Sequence, residues 1–418
     1  MSTPTPTPAR TVIRNGTVLD TATMTFTEGQ TVVSENGVIV DVGSEPVGAG
    51  DVDIDAAGRY VVPGLIDAHV HFRLCTLNFF RLSQLTEVEF GIEMAALSRA
   101  TVERGFTTVR DIGGDVNGLM RAIASGSTIG PRIVRAGLML TQTGGHGDVR
   151  SGDIEVASCG CVLDSNVMSI VADGVDACRK AARHLLRDGS DFIKIHVSGG
   201  VASPADPLEC VQYTPEEIRT VVAEAEHRNT YVAAHAYVPE AIAMAVEAGV
   251  RSIEHGNLID KPTAKLLADT GTVLVPTLST YRAMHDVGKQ FGLPAANLEK
   301  NTVVYESGLA SLELAHEAGV TMGLGTDLIG ESQVRQNEEL AIRASVQPAA
   351  DVLRSMWVVN AQLCHLEGRV GVVAPGAFGD LVISNIDPLD DLAAFAEHET
   401  AFSHVVQGGR IAVDRSDA

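Results

Sequence analysis

The chain has 418 residues, of which 45% are hydrophobic, and a formal net charge of -22. That length suits a barrel of about 250 residues with an accessory domain, and no apolar run approaches the roughly 20 residues that a bilayer span needs. The acidic surplus excludes a broad nucleic-acid surface and an anionic membrane surface as partners, because both demand basic patches. A small molecule remains as the partner.

The first residues, Met1 to Ala9, form a Pro/Thr-rich tail without the charged and apolar regions of a secretory signal, and are expected to be disordered. Between Arg10 and Asp55, Thr11–Gly16 and Gly37–Gly43 are short β-rich runs with Asn-Gly turn signals. The run Tyr60 to Ile66 is continuously apolar, as expected of a strand buried on both faces, and leads directly into Asp67-Ala68-His69-Val70-His71. Residues two apart on a strand share a face, so His69 and His71 can hold one cation without a loop to position them. Imidazole suits zinc and neighbouring ions, and a carboxylate can complete the shell.

Further strands are expected at Phe106–Asp111, Arg132–Leu138 and Asp191–Val197. The glycine-rich loop Thr143-Gly144-Gly145-His146-Gly147 follows the third. Lys194, one of only six lysines, lies in the fourth. A buried ammonium is costly unless paired or deprotonated. It either meets an interior aspartate or, as a neutral amine, takes up carbon dioxide to become a carbamate that bridges two metals. His196 shares its face. Later strands carry His235, His255, Val273–Pro276 and Asp327, and Tyr237 shares the His235 face. Helices are expected over Asp173–Arg187, Pro215–Arg228, Pro239–Glu247 and Tyr305–Glu317, giving an alternation of strands and helices between residues 61 and 365 that predicts an α/β, (β/α)8 barrel. Pocket walls are expected from the segments Thr141–Asn166 and Ser279–Lys300. C-terminal runs at Gly376–Ile383 and Val405–Ile411 return to strands and turns.

Six cysteines, Cys75, Cys159, Cys161, Cys178, Cys210 and Cys364, are scattered through a chain too large to need disulfide staples, which predicts a reduced, cytoplasmic setting. Cys159-Gly160-Cys161 has no second pair to complete a metal site.

Taken in order, Pro63-Gly64-Leu65-Ile66-Asp67-Ala68-His69-Val70-His71, Ile193-Lys194-Ile195, Ala234-His235-Ala236, Glu254-His255-Gly256 and Gly325-Thr326-Asp327 resemble the amidohydrolase superfamily, in its imidazolonepropionase and Xaa-Pro dipeptidase-like branch. The resemblance implies that His69, His71 and Asp327 hold one divalent metal, most naturally Zn2+. His235 and His255 hold the other, with a carboxylated Lys194 and a hydroxide between them. It implies a barrel over 63–365 and one small β-sandwich built from 10–62 and 366–418. Asp327 becomes the proton carrier, and His146 and Tyr237 the substrate contacts, with Arg150 or Arg282 as alternative partners for a substrate carboxylate. The implied function is hydrolysis of an amide bond, in a dipeptide or N-acyl amino acid or else in a cyclic or xenobiotic arylamide, by an enzyme expected to be a homo-oligomer. A non-catalytic assembly protein is the reading from another class, and the complete ligand set opposes it.

Overall fold

The structure is a computed structural model and describes residues 8–148, 168–203 and 206–416. In chain order the strands are β1 (Arg10–Asp20), β2 (Thr25–Glu35), β3 (Val38–Gly43), β4 (Val52–Asp55), β5 (Tyr60–Pro63), β6 (Leu65–Val70), β7 (Phe106–Asp111), β8 (Arg132–Arg135) and β9 (Met139–Thr141). They continue with β10 (Ser169–Val171), β11 (Ile193–His196), β12 (Val232–Ala236), β13 (Ser252–His255), β14 (Val273–Val275), β15 (Leu381–Ser384), β16 (Phe402–Gln407) and β17 (Arg410–Asp414).

Both termini build one eight-stranded sheet, ordered β17-β16-β15-β5-β1-β2-β3 with β4 also on β1. The two Asn-Gly signals have different fates. Asn36 and Gly37 take φ of 50° and 80° between β2 and β3, as a tight hairpin turn requires. Asn15 and Gly16 instead lie inside β1, where the register against β2 slips on either side of Gly16. That bulge lets β1 pair first with β4 and then with β5, so the sheet gathers Ile13, Ile39, Ile54, Val61, Leu381 and Val406 into one apolar cluster.

The central strands are parallel, in a three-stranded sheet β6-β7-β8 and a six-stranded sheet β10-β9-β11-β12-β13-β14. Hydrogen bonds span both gaps between them. Asp191, just before β11, donates its N–H to the Arg135 carbonyl and accepts the Arg135 N–H on its carboxylate. On the other side, in the segment after the long helix Ala295–Glu317, the Thr321 carbonyl accepts from Leu274 N–H and Gly323 N–H donates to the Leu274 carbonyl, and Ala68 N–H reaches the Leu324 carbonyl. That segment carries Asp327 but is not a regular strand, contrary to expectation. Asn360 holds it instead: its amide donates to the carbonyls of Ile66 and Leu324 and accepts from the Leu324 N–H.

Helices Val175–Arg187, Pro215–Glu226 and Pro239–Glu247 form where the apolar periodicity places them, and they pack a shared core with the strands. The helix expected from Tyr305 begins ten residues earlier, at Ala295. The expected third strand breaks at Gly137, whose φ of 74° redirects the chain from β8 into β9. Cys75, Cys178, Cys210 and Cys364 are free, whereas Cys159, Cys161 and Arg150 lie outside the described residues. Among the described residues no helix is long and apolar enough to cross a membrane.

Candidate metal centre

The expected ligands come from separate strand ends and meet in one place. His69 and His71 sit at the end of β6, Lys194 in β11, His235 in β12, His255 at the end of β13 and Asp327 after Leu324. Asp327 Oδ1 lies 3.4 Å from His69 Nε2 and 3.3 Å from His71 Nε2, and Oδ2 lies 4.0 Å from His255 Nδ1. Donor atoms of His69, His255 and Asp327 all fall within 4.8 Å of one another, the separation a single cation could bridge. All six side chains line one cavity of about 480 Å³, within the range of ligand-binding pockets.

Two backbone conformations make this convergence possible. His255 has φ of 79° and Asp327 φ of 53°, the left-handed region that ordinary residues avoid. In β13 this turn lets both Glu254 and the next residue, His255, face the site, against the alternation of a regular strand. Gly325 is needed beside Asp327, since a Cβ there would lie 2.6 Å from the His69 Cβ.

Hydrogen bonds fix the imidazoles. His69 Nδ1 meets Glu254 Oε2 at 2.9 Å and His71 Nδ1 the Gly113 carbonyl at 3.1 Å, which turns both Nε2 atoms toward Asp327. His235 Nε2 donates to the Gly199 carbonyl at 3.1 Å, leaving Nδ1 free to coordinate. His255 Nδ1 meets the Thr277 hydroxyl at 2.8 Å.

The electrostatics suit cation ligation. Burial, then neighbouring imidazoles, push His235 and His255 well below the usual histidine range, so both are neutral as ligands must be. Burial would raise the Asp327 carboxyl, but His69 and His71 outweigh it and hold it well below its usual range. Burial lowers the Lys194 ammonium to about 8 against the pull of Glu254 and Asp327, which brings the neutral amine within reach near neutrality. These donors therefore fit a divalent metal centre.

Two carboxylates that buttress the centre escaped the sequence reading. Arg110 Nη2 contacts both Glu254 oxygens, at 2.7 and 2.8 Å, and Ser252 donates to Oε1. Burial alone would raise Glu254; the Arg110 charge and the His69 hydrogen bond overcome it and keep it ionised. Asp67 accepts from the Thr326 N–H and hydroxyl, Gln336 and the His69 N–H, tying β6 to the Asp327 segment. The signal available for both was a carboxylate inside an otherwise apolar strand.

His146 stacks on His235 with ring centroids 4.4 Å apart and 17° between planes, and its Nδ1 lies 3.4 Å from Asp206 Oδ2. Gly200 permits this approach, because a Cβ there would fall 2.2 Å from the His146 ring. His196 is 5.2 Å from His146 by centroid and also lines the cavity. The Tyr237 hydroxyl is 2.7 Å from that of Tyr281, and its ring packs on His235. The 279–300 segment does wall the cavity, through Tyr281 and Met284 of helix Leu278–Val287 and through Pro294 and Asn297 at the start of the long helix. Arg282, by contrast, lines a different cavity.

Residues 60–411 match the model of the Amidohydrolase family. The ochratoxinase of Aspergillus niger is 30% identical over 373 residues, covering 84% of this chain and 75% of that protein. A prolidase crystallised with N-methylphosphonate-L-proline is 42% identical with a TM-score of 0.92, covering 97% of this chain and 100% of the other. A Xaa-Pro dipeptidase with methionine in its active site is 29% identical with a TM-score of 0.85, covering 96% and 99%.

Proposed function

Since this chain belongs to the amidohydrolase family, we propose that it cleaves the amide bond of a dipeptide or N-acyl amino acid, in the manner of a Xaa-Pro dipeptidase. It is a hydrolase acting on C–N bonds. The observation that carries the reading is the cavity itself: six ligand-type side chains at its floor, with His146 and Tyr237 flanking them. Likeness to a prolidase across nearly the whole chain supports the substrate class. In this reading the parallel strands form a closed (β/α)8 barrel, supported by the bonds at Arg135/Asp191 and Ala68/Leu324.

His69, His71 and Asp327 would hold one divalent cation and His235 and His255 the other, with Lys194 as a carbon dioxide-derived carbamate between them. Zn2+ suits this imidazole-rich set. Bound there, the ions supply an acidified water and polarise the amide carbonyl. Asp327 takes the proton released as the water oxygen bonds to the carbonyl carbon, and delivers it to the departing nitrogen as the C–N bond breaks. A carboxylate and an amine leave. His146, held between His235 and Asp206, and Tyr237 bind the substrate carboxylate or carbonyl.

A second reading, hydrolysis of a cyclic or xenobiotic arylamide, is favoured by the apolar wall of Leu82, Phe90, Met139, Met168 and Met284 and by likeness to ochratoxinase. A screen of dipeptides and N-acyl amino acids beside lactams and arylamides separates the two. The highest kcat/KM is expected on carboxylate-bearing dipeptides or acyl amino acids; equal turnover of neutral arylamides overturns that assignment. Lys194→Ala is expected to abolish activity and to reduce metal from about two ions per chain. Full metal content in that variant would exclude lysine as a bridging ligand.

A further inference from the structure

Behind Tyr281, away from the metal ligands, lies a second cavity of about 180 Å³. Its walls are Leu278, Leu309, Ala341 and Ile342, supplied by three helices. Asn257 lines it from just beyond β13, is 1% exposed, and has no hydrogen-bond partner on either Oδ1 or Nδ2. Buried amides normally satisfy both groups. The Asn257 carbonyl accepts from Ser311, and the two unmet atoms are those of the side-chain amide. Arg282 stands exposed at the rim with no carboxylate within ion-pair distance among the described residues.

We propose that this cavity binds a free amino acid with an apolar side chain. The carboxylate accepts from Arg282 and from Asn257 Nδ2, the ammonium donates to Asn257 Oδ1, and the side chain lies against the aliphatic walls. An unpaired donor and acceptor on one buried amide match the adjacent ammonium and carboxylate of an amino acid better than a simple carboxylate, which would leave Oδ1 unmet. Size agrees, because an apolar cavity of about 150 Å³ already accommodates benzene.

The site adjoins the metal centre through Tyr281 and through the chain itself, since Asn257 follows His255 by two residues. Tyr281 lines both cavities; its hydroxyl meets Tyr237 at 2.7 Å and Thr277 at 3.5 Å, and Thr277 meets His255. Occupancy therefore reaches a substrate-contacting tyrosine and a ligand histidine without entering the metal-bearing cavity.

The test uses the metal-loaded full chain titrated with L-leucine by calorimetry, beside leucinamide, which lacks the carboxylate, and N-acetyl-leucine, which lacks the ammonium. A leucine site is expected that is weakened about tenfold or more by Arg282→Ala and lost in Leu309→Trp, which fills the cavity from its exposed side. Neither analogue should occupy it. Both variants should keep the wild-type kcat/KM. Leucine binding that neither variant alters would place all of it in the metal-bearing cavity and overturn the proposal, as would a leucine-soaked crystal with only water on Asn257. Binding is read without turnover, so failure of the dipeptidase reading would leave this result standing.

Discussion

The two halves of the metal centre are supported in different ways. Around His69, His71 and Asp327, buried charge does the positioning: Arg110 holds Glu254, Glu254 holds His69, and Asp67 holds the Asp327 segment. Around His235, the support is a loop. A backbone carbonyl from Gly199 takes its Nε2, His146 stacks on its ring, and Lys300 gathers the carbonyls of Gly200, Ser203 and Asp206 into place. A charged buttress keeps its geometry when a ligand leaves, whereas a loop can follow the substrate. In the proposed reaction, the first half would serve the chemistry and the second recognition.

Asp327→Asn should break the chemical half most severely. Asparagine tolerates the left-handed backbone at this position and retains an oxygen donor, but cannot accept a proton. Turnover is expected to fall by about 10²–10⁴, with a smaller change in KM. Near wild-type turnover in metal-replete protein would remove Asp327 from proton transfer.

Glu254→Gln should sharpen the contrast. The loss of the carboxylate beside His69 is expected to lower metal affinity or activity roughly 10–100-fold. His146→Ala and Tyr237→Phe, in the other half, should leave metal content intact and weaken carboxylate-bearing substrates by about 1–3 kcal/mol in kcat/KM. Metal analysis with parallel kinetics on the three variants decides it; metal loss in His146→Ala would erase the distinction.

The smallest effect concerns pH. Lys194 is lowered from 10.5 to about 8 by burial. In metal-free protein the unfolded chain therefore binds the extra proton between those values, and stability rises with pH across that window. Below about 8 the buried ammonium is a standing penalty, which Lys194→Met removes. The metal-free variant is expected to have the higher urea midpoint at pH 7, with the gap narrowing toward pH 10.5. A gap that does not change with pH would detach the effect from the amine.

How much of this was legible follows from the range of each signal. His69 and His71 could be read because a strand's period of two is local, and Lys194 because a cation amid Ile193, Ile195 and Phe192 has few uses. Helices with clear apolar faces formed where expected, and the terminal strands, expected as a β-sandwich, lie in one eight-stranded sheet. Glu254 and Asp67 stood out only as carboxylates in apolar strands, and what they hold depends on Arg110, Thr326 and Gln336, far away in sequence. Asp327 was readable by its Gly-Thr-Asp setting, but not its departure from a strand, because the bonds that replace the ladder come from Asn360.

That last residue acts as a latch between two segments. Regular strands share their load across many rungs, so the loss of any one is diluted among neighbours. Between β14 and β6 a single carboxamide carries three of the contacts that hold Leu324 and Ile66 together. Loss of that one side chain would therefore remove three bonds at once beside the backbone that carries Asp327, where a regular ladder would lose one.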